Sequence, residues 1–126
     1  MTELSCDVLV LGAGAAGMGA ALSAAREGAR VTMVERVEGP GGILGQCIHN
    51  GFGLHYFKQE LTGPEYASRL WALCSDAGVD FRPGRFLLDI HPRQKTMVFA
   101  SPQGVERITC AAMVYAAGAR ERPFGS

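Results

Sequence analysis

Short apolar runs alternate with glycine-bearing breaks along the chain, and that rhythm predicts its elements. Residues 6–11 (CDVLVL) form a brief apolar run stopped by glycine, the pattern of a strand buried on both faces of a parallel sheet. Residues 15–27 are rich in alanine and predict a helix, with Gly28 where a left-handed residue would end it. Residues 30–35 (RVTMVE) predict a second strand. Strand, glycine-rich turn, helix and strand within about 30 residues make a βαβ unit, whose crossover is right-handed in nearly all proteins.

Residues 36–61 show little periodicity and many glycines, and a loop that long inside a compact domain usually serves a ligand. Thr62-Gly63-Pro64-Glu65 has the spacing of a capping box with proline in the first turn, and it opens a helix that places Tyr66, Leu70, Leu73, Cys74 and Ala77 on one face before Gly78. Tyr66, Leu70 and Trp71 read as core or interface residues. Strands are predicted at 79–81, 86–90, 96–100, 105–110 and 113–116, separated by turn pieces such as Arg82-Pro83-Gly84 and Pro102-Gln103-Gly104. Alternation through Phe86, Leu88 and Ile90 and along 105–110 predicts an antiparallel meander with one wet face. The tail, residues 116–126, has turn composition.

At 126 residues the chain suits one compact domain, and its 48% hydrophobic content excludes disorder. Twelve basic residues balance twelve acidic ones, so nothing attracts phosphate backbones or anionic lipid, and neither nucleic acid nor membrane is expected as a partner. The charge-free segment 8–25 is mostly glycine and alanine and lacks a basic flank, which argues against a membrane span or signal core. Four widely spaced cysteines (Cys6, Cys47, Cys74 and Cys110) contain no CxxC pair and read as reduced thiols of a cytoplasmic protein. The 17 glycines are nearly twice the typical share of roughly 7%.

Six residues in one turn carry the candidate chemistry. Gly12-Ala13-Gly14-Ala15-Ala16-Gly17 is GxGxxG after a predicted strand and at the opening of a helix, and Glu35 follows 21 residues after Gly14 at the end of the next strand. In this arrangement Gly12 permits the tight turn, Gly14 lets main chain approach a pyrophosphate, and Gly17 lets the helix lie close on the sheet. The amides of the first helical turn, at Ala15, Ala16 and Gly17, offer hydrogen bonds and partial positive charge to a diphosphate without any lysine or arginine in the loop. Glu35 is placed to accept from both hydroxyls of an adenosine ribose and to repel a 2′-phosphate, which favours FAD or NAD over NADP. The plainer alternative is that the glycines serve only packing and Glu35 caps a strand.

The motif leaves FAD and NAD unresolved. Residues 7–36, then Gly41-Gly42, then residues 113–123 (MVYAAGARERP) together resemble the FAD-binding domain of the pyridine nucleotide-disulfide oxidoreductase family, over nearly the whole chain. The resemblance implies FAD as cofactor, with Arg36 beside the acid, Gly41 and Gly42 near the diphosphate and ribityl chain, the backbone of Leu87 at the adenine, and Ala117 and Gly118 against the cofactor. Ala117 stands where the family usually has threonine. Residues 41–54 look like a subgroup of NAD(P)/FAD-dependent oxidoreductases rather than the disulfide reductases, which have two cysteines four residues apart where this chain has Cys47 alone; a dithiol relay needs a second thiol.

The resemblance further implies that the chain is the N-terminal part of a longer protein, residues 1–126 being the first part of the FAD domain, with a separate nicotinamide-binding domain for NAD(P)H. Cys47 is the candidate catalytic residue, as a redox thiol near the flavin; the bland alternative is a small apolar residue in a turn. His49 and His55 are candidate proton relays or ordinary loop histidines, and with Cys47 they match no familiar metal spacing, so no metal is expected. Arg120 lies near enough to Ala117 and Gly118 in sequence to reach a phosphate.

The expected fold is therefore α/β: a Rossmann-like three-layer FAD/NAD(P)-binding domain with a parallel sheet and an antiparallel β-meander. The expected function is that of an FAD-binding portion of an oxidoreductase acting on a small-molecule substrate. Two rivals stand beside it, an NAD-dependent dehydrogenase domain and a non-catalytic nucleotide-binding subunit that completes a partner's site. A homodimer or a partner subunit is the expected assembly.

Overall fold

A computed structural model of the chain, in which residues 1–42 and 61–118 are described, contains the expected βαβ unit and builds outward from it. The elements are β1 (Thr2–Ser5), β2 (Val8–Leu11), α1 (Ala15–Arg26), β3 (Val31–Val34), α2 (Gly63–Asp76), β4 (Asp80–Arg82), β5 (Phe86–His91), β6 (Thr96–Ser101), β7 (Gly104–Thr109) and β8 (Ala112–Tyr115). One sheet is parallel throughout, in the order β4-β3-β2-β8; the second runs β1-β7-β6-β5 and contains the antiparallel meander.

Three layers follow from period-2 burial in the central strands. Val10, Val31 and Met33 face α1 and α2, where they pack with Met18, Ala21, Leu22, Leu70 and Cys74. Leu9, Leu11 and Val34 face the other way, onto Met97, Phe99 and Ile108 of the meander. The charge-free segment 8–25 is thus β2, a turn and α1, and no helix among the described residues is long and apolar enough to cross a membrane.

The predicted strand at 6–11 begins only at Val8, because Cys6 and Asp7 form a corner at which the chain changes sheets. The Asp7 carboxylate accepts the Arg30 amide at 2.7 Å, and the Asp7 carbonyl accepts the Ala111 and Ala112 amides, each at 3.0 Å. Before the corner lies β1, which the polar residues Thr2, Glu3 and Ser5 concealed; it pairs in parallel with β7. The step from β7 to β8 repeats the same change of sheet beside it.

Two further expectations need correction. The capping box is present, with Thr62 Oγ1 accepting the Glu65 amide and Glu65 Oε1 accepting the Thr62 amide, yet α2 buries Gly63, Ala67, Leu70 and Cys74; Tyr66, Leu73 and Ala77 flank that stripe. Trp71 packs edge-on to Phe81 at 4.8 Å between ring centroids. In β5, Leu87 pairs with the buried Phe99 while Phe86 and Leu88 are exposed, and a bulge between Leu87 and Asp89 shifts the register so that Ile90 pairs with the buried Met97, out of phase with Phe86 and Leu88. In β7 the inward residues are Glu106 and Ile108, and Val105 points to solvent.

Candidate functional site

At the carboxyl ends of the parallel strands, where the chain leaves β2 toward β3 on one side and β8 lies on the other, open α/β sheets place their ligands. A cleft of about 320 Å³ lies there. Its walls come from Leu11 and Gly12 after β2, Glu35 and Arg36 after β3, Arg85, Phe86 and Leu87 at the start of β5, and Tyr115, Ala117 and Gly118 at and beyond the end of β8. Six residues singled out in the sequence (Gly12, Glu35, Arg36, Leu87, Ala117 and Gly118) therefore share one cavity although they span 106 positions from first to last.

The three glycines of the turn are required for different reasons. Gly12 has φ +107°, and a β-carbon there would overlap the carbonyl oxygen of Ala116. A β-carbon on Gly17 would overlap the Gly12 carbonyl, so this position seats α1 on its own loop as well as on Val10. Gly14 is different: it is the N-cap of α1 with ordinary φ of −79°, and among the described residues an added β-carbon would find nothing nearer than the Gly42 Cα at 3.9 Å.

Gly41 and Gly42 lie against the same turn. The Gly41 amide donates to the Ala13 carbonyl at 2.7 Å, and a β-carbon on Gly42 would come within 3.1 Å of the Gly14 Cα. Ala15 and Ala16 are exposed in the first turn of α1, which has no side-chain cap and no acidic residue among the described residues, so its positive end is available to an anion.

The Glu35 carboxylate is already engaged. Oε1 accepts the Ala13 amide at 3.0 Å, while Oε2 accepts the amides of Arg36 at 2.7 Å and Val37 at 3.1 Å. Among the described residues, three main-chain amides thus share the carboxylate that is expected to accept from the ribose hydroxyls. Glu35 thereby ties the end of β3 to the glycine-rich turn.

On the facing wall, Arg85 donates from Nε and Nη2 to the two oxygens of Glu106, at 2.9 and 3.0 Å, and from Nη1 to the Pro83 carbonyl at 2.8 Å. The Glu106 hydrogen bonds hold the Arg85 guanidinium above its ordinary pKa. Neither residue drew attention in the sequence, where Arg85 follows a turn and Glu106 sits in a strand expected to be wet on one side; the only local cue is a carboxylate between two apolar neighbours, Val105 and Ile108, that lies in phase with Ile108.

Cys47, His49, His55 and Arg120 lie outside the described residues. The described cysteines, Cys6, Cys74 and Cys110, are free and buried, and burial pushes all three thiols up, away from thiolate chemistry.

A family model described as pyridine nucleotide-disulphide oxidoreductase matches residues 6–126. A subunit of opine oxidase from Rhizobium meliloti is 32% identical over 127 residues, covering 94% of this chain and 24% of that protein. The HcnB subunit of hydrogen cyanide synthase from Pseudomonas protegens is 27% identical, covering 96% of this chain and 26% of that protein. The chain thus spans about a quarter of the length of these curated relatives. Among solved structures, thioredoxin reductase of T. acidophilum superposes with a TM-score of 0.78 at 23% identity, covering 96% of this chain and 38% of that one. L-proline dehydrogenase from P. horikoshii gives 0.78 at 19% identity, covering 94% and 23%. At such identities these two structures establish the fold, which is the Rossmann-like one expected.

Proposed function

Because the chain belongs to the pyridine nucleotide-disulphide oxidoreductase family, we propose that it is the FAD-binding portion of a flavin-dependent oxidoreductase that passes a hydride from NAD(P)H through FAD to a small-molecule acceptor. One observation carries the reading of the site. Gly14 is the glycine of the turn that neither backbone conformation nor packing among the described residues requires, and the absence of a side chain there suits the main-chain approach a diphosphate needs.

The residues divide the work by position. Amides of Ala15, Ala16 and Gly17 receive the diphosphate at the positive end of α1, with Gly41 and Gly42 alongside. Glu35 accepts from the ribose hydroxyls and holds the sugar in register with the turn through its bond to the Ala13 amide. The Leu87 main chain, on the wall beside Glu35, faces the adenine, and Arg36 borders the same end of the cleft. Ala117 and Gly118 line the cleft with small residues, which leaves space for the cofactor. When bound, FAD supplies the hydride chemistry, and the protein supplies orientation and electrostatics. The negative Glu35 disfavours a 2′-phosphate at this site, so NADPH, if it is the donor, binds elsewhere.

The test is the identity of the cofactor carried by the purified full-length protein. Visible flavin absorbance, with FAD released on denaturation and identified by mass spectrometry, is expected. NAD in its place, or no nucleotide after reconstitution with FAD, contradicts the proposal.

A refinement is favoured by the names of two relatives, both of which are enzyme subunits. On this reading the protein works beside a partner subunit that completes the acceptor site. Size-exclusion chromatography of the natively expressed protein is expected to show a heteromer, and a homodimer with full turnover excludes it.

A further inference from the structure

Glu106 is a carboxylate on the meander sheet with 7% of its surface exposed, and among the described residues its side-chain hydrogen bonds and ion pairs go to Arg82 and Arg85. Beyond its two bonds to Arg85, its Oε2 lies 3.5 Å from Arg82 Nη1. Arg82 and Arg85 are the two ends of one turn, and that turn brackets Glu35 through the main chain. The Glu35 amide donates to the Arg82 carbonyl at 3.1 Å, the Arg85 amide donates to the Glu35 carbonyl at 2.9 Å, and the Gly84 amide donates to the Val37 carbonyl at 3.2 Å. Two residues past Arg85 stands Leu87, on the same wall of the cleft.

A buried ion pair of this kind is weak evidence for stability, since apolar residues of similar volume often stabilise as well or better; fixing a register is its best-attested use. Here the register is that of the 82–85 turn against the end of β3. Glu106 also neutralises a guanidinium that lines the same cleft as the Glu35 carboxylate, so Arg85 does not compete with a sugar hydroxyl for it.

We propose that Glu106 is a positioning residue for adenosine recognition: through Arg85 and Arg82 it holds the 82–85 turn, and the turn holds Glu35 and Leu87 in place across the ribose end of the cleft. This role rests on FAD being the ligand of the cleft.

The experiment compares apoprotein binding of FAD with that of an FAD analogue lacking the adenosine 2′- and 3′-hydroxyls, in the full-length protein. The wild type prefers FAD by about tenfold, the worth of a hydrogen bond to a charged acceptor. Glu106→Gln is expected to lose most of that preference. So is the paired variant Glu106→Leu/Arg85→Leu, which leaves no lone charge from the pair and keeps the test alive if the single variant does not fold. Adding Glu106→Gln to Glu35→Gln changes the preference no further, since both act on the same contact between carboxylate and ribose. Variants that bind both ligands more weakly but keep the wild-type ratio overturn the proposal, because a purely structural carboxylate behaves that way. A wild type that binds FAD without preferring it also overturns the proposal, while a wild type that binds no FAD overturns the assignment of the cofactor beneath it.

Discussion

At the mouth of β2 the protein works with bare main chain: Gly12 and Gly17 let carbonyls approach where a β-carbon would collide, and among the described residues Gly14 has no such close neighbour. Across the same cleft, at the start of β5, it works with charged side chains, two arginines converging on one buried carboxylate. Both regions end on Glu35, the first through the Ala13 amide and the second through the carbonyl of Arg82 and the amide of Arg85. The first is set by spacing within one βαβ unit. The second exists only once the meander has docked on the parallel sheet, so it is the part of the site that depends on tertiary structure.

The largest effects test the glycine side of that contrast. Gly12→Val and Gly17→Val force a β-carbon into backbone oxygen, and Gly12→Val must also adopt a positive φ; both are expected to abolish folding, read as loss of the cooperative melt. A normally folded Gly17→Val protein would show that the turn has slack that the packing denies.

Next comes the charged side. Glu106→Leu alone strands Arg85 on a wall of the cleft and is expected to cost about 3–5 kcal/mol, whereas the paired Glu106→Leu/Arg85→Leu variant recovers much of it. Denaturant unfolding checks the order; equal losses in both would mean that the pair contributes through packing alone. Lower again is Thr62→Ala, which removes the acceptor for the Glu65 amide and is expected to cost about 1 kcal/mol, with no change in nucleotide binding, since the cap lies away from the cleft.

The smallest effect concerns pH. The Arg30 amide holds the Asp7 carboxyl below its usual range, and the Thr62 amide does the same for Glu65. Their folded-state pKa values are lowered, so the unfolded chain takes up protons first as pH falls. The stability these groups contribute is complete above the ordinary carboxylate range, near pH 4, and drains away as pH drops through the lower folded values. Asp7→Asn is expected to flatten the acid limb of a melting-temperature profile and leave its neutral region level.

The same division explains what the sequence made legible. The turn, both helices, the acid and the meander strands are local patterns, and the glycine spacing alone brought Gly12, Gly14 and Glu35 together. Missing were β1, hidden by polar residues whose pairing partner lies 104 positions away, and the inward face of β5, reset by one bulge. The partnership of Arg82 and Arg85 with Glu106 joins residues 24 and 21 positions apart on different elements. Periodicity marks Glu106 as a polar residue in a strand and carries no information about which guanidinium it meets. The engagement of Glu35 with three amides was equally invisible, because it depends on where the turn closes and not on which residues form it.

Titrating FAD into full-length wild-type and Gly14→Val apoproteins asks whether Gly14 is small for a ligand or for the fold. The variant is expected to keep the wild-type circular dichroism spectrum and a cooperative melt, losing no more than the roughly 1 kcal/mol that a poorer helix N-cap costs, while FAD binding is lost. A folded Gly14→Val protein that takes up FAD with wild-type affinity and stoichiometry contradicts the ligand role.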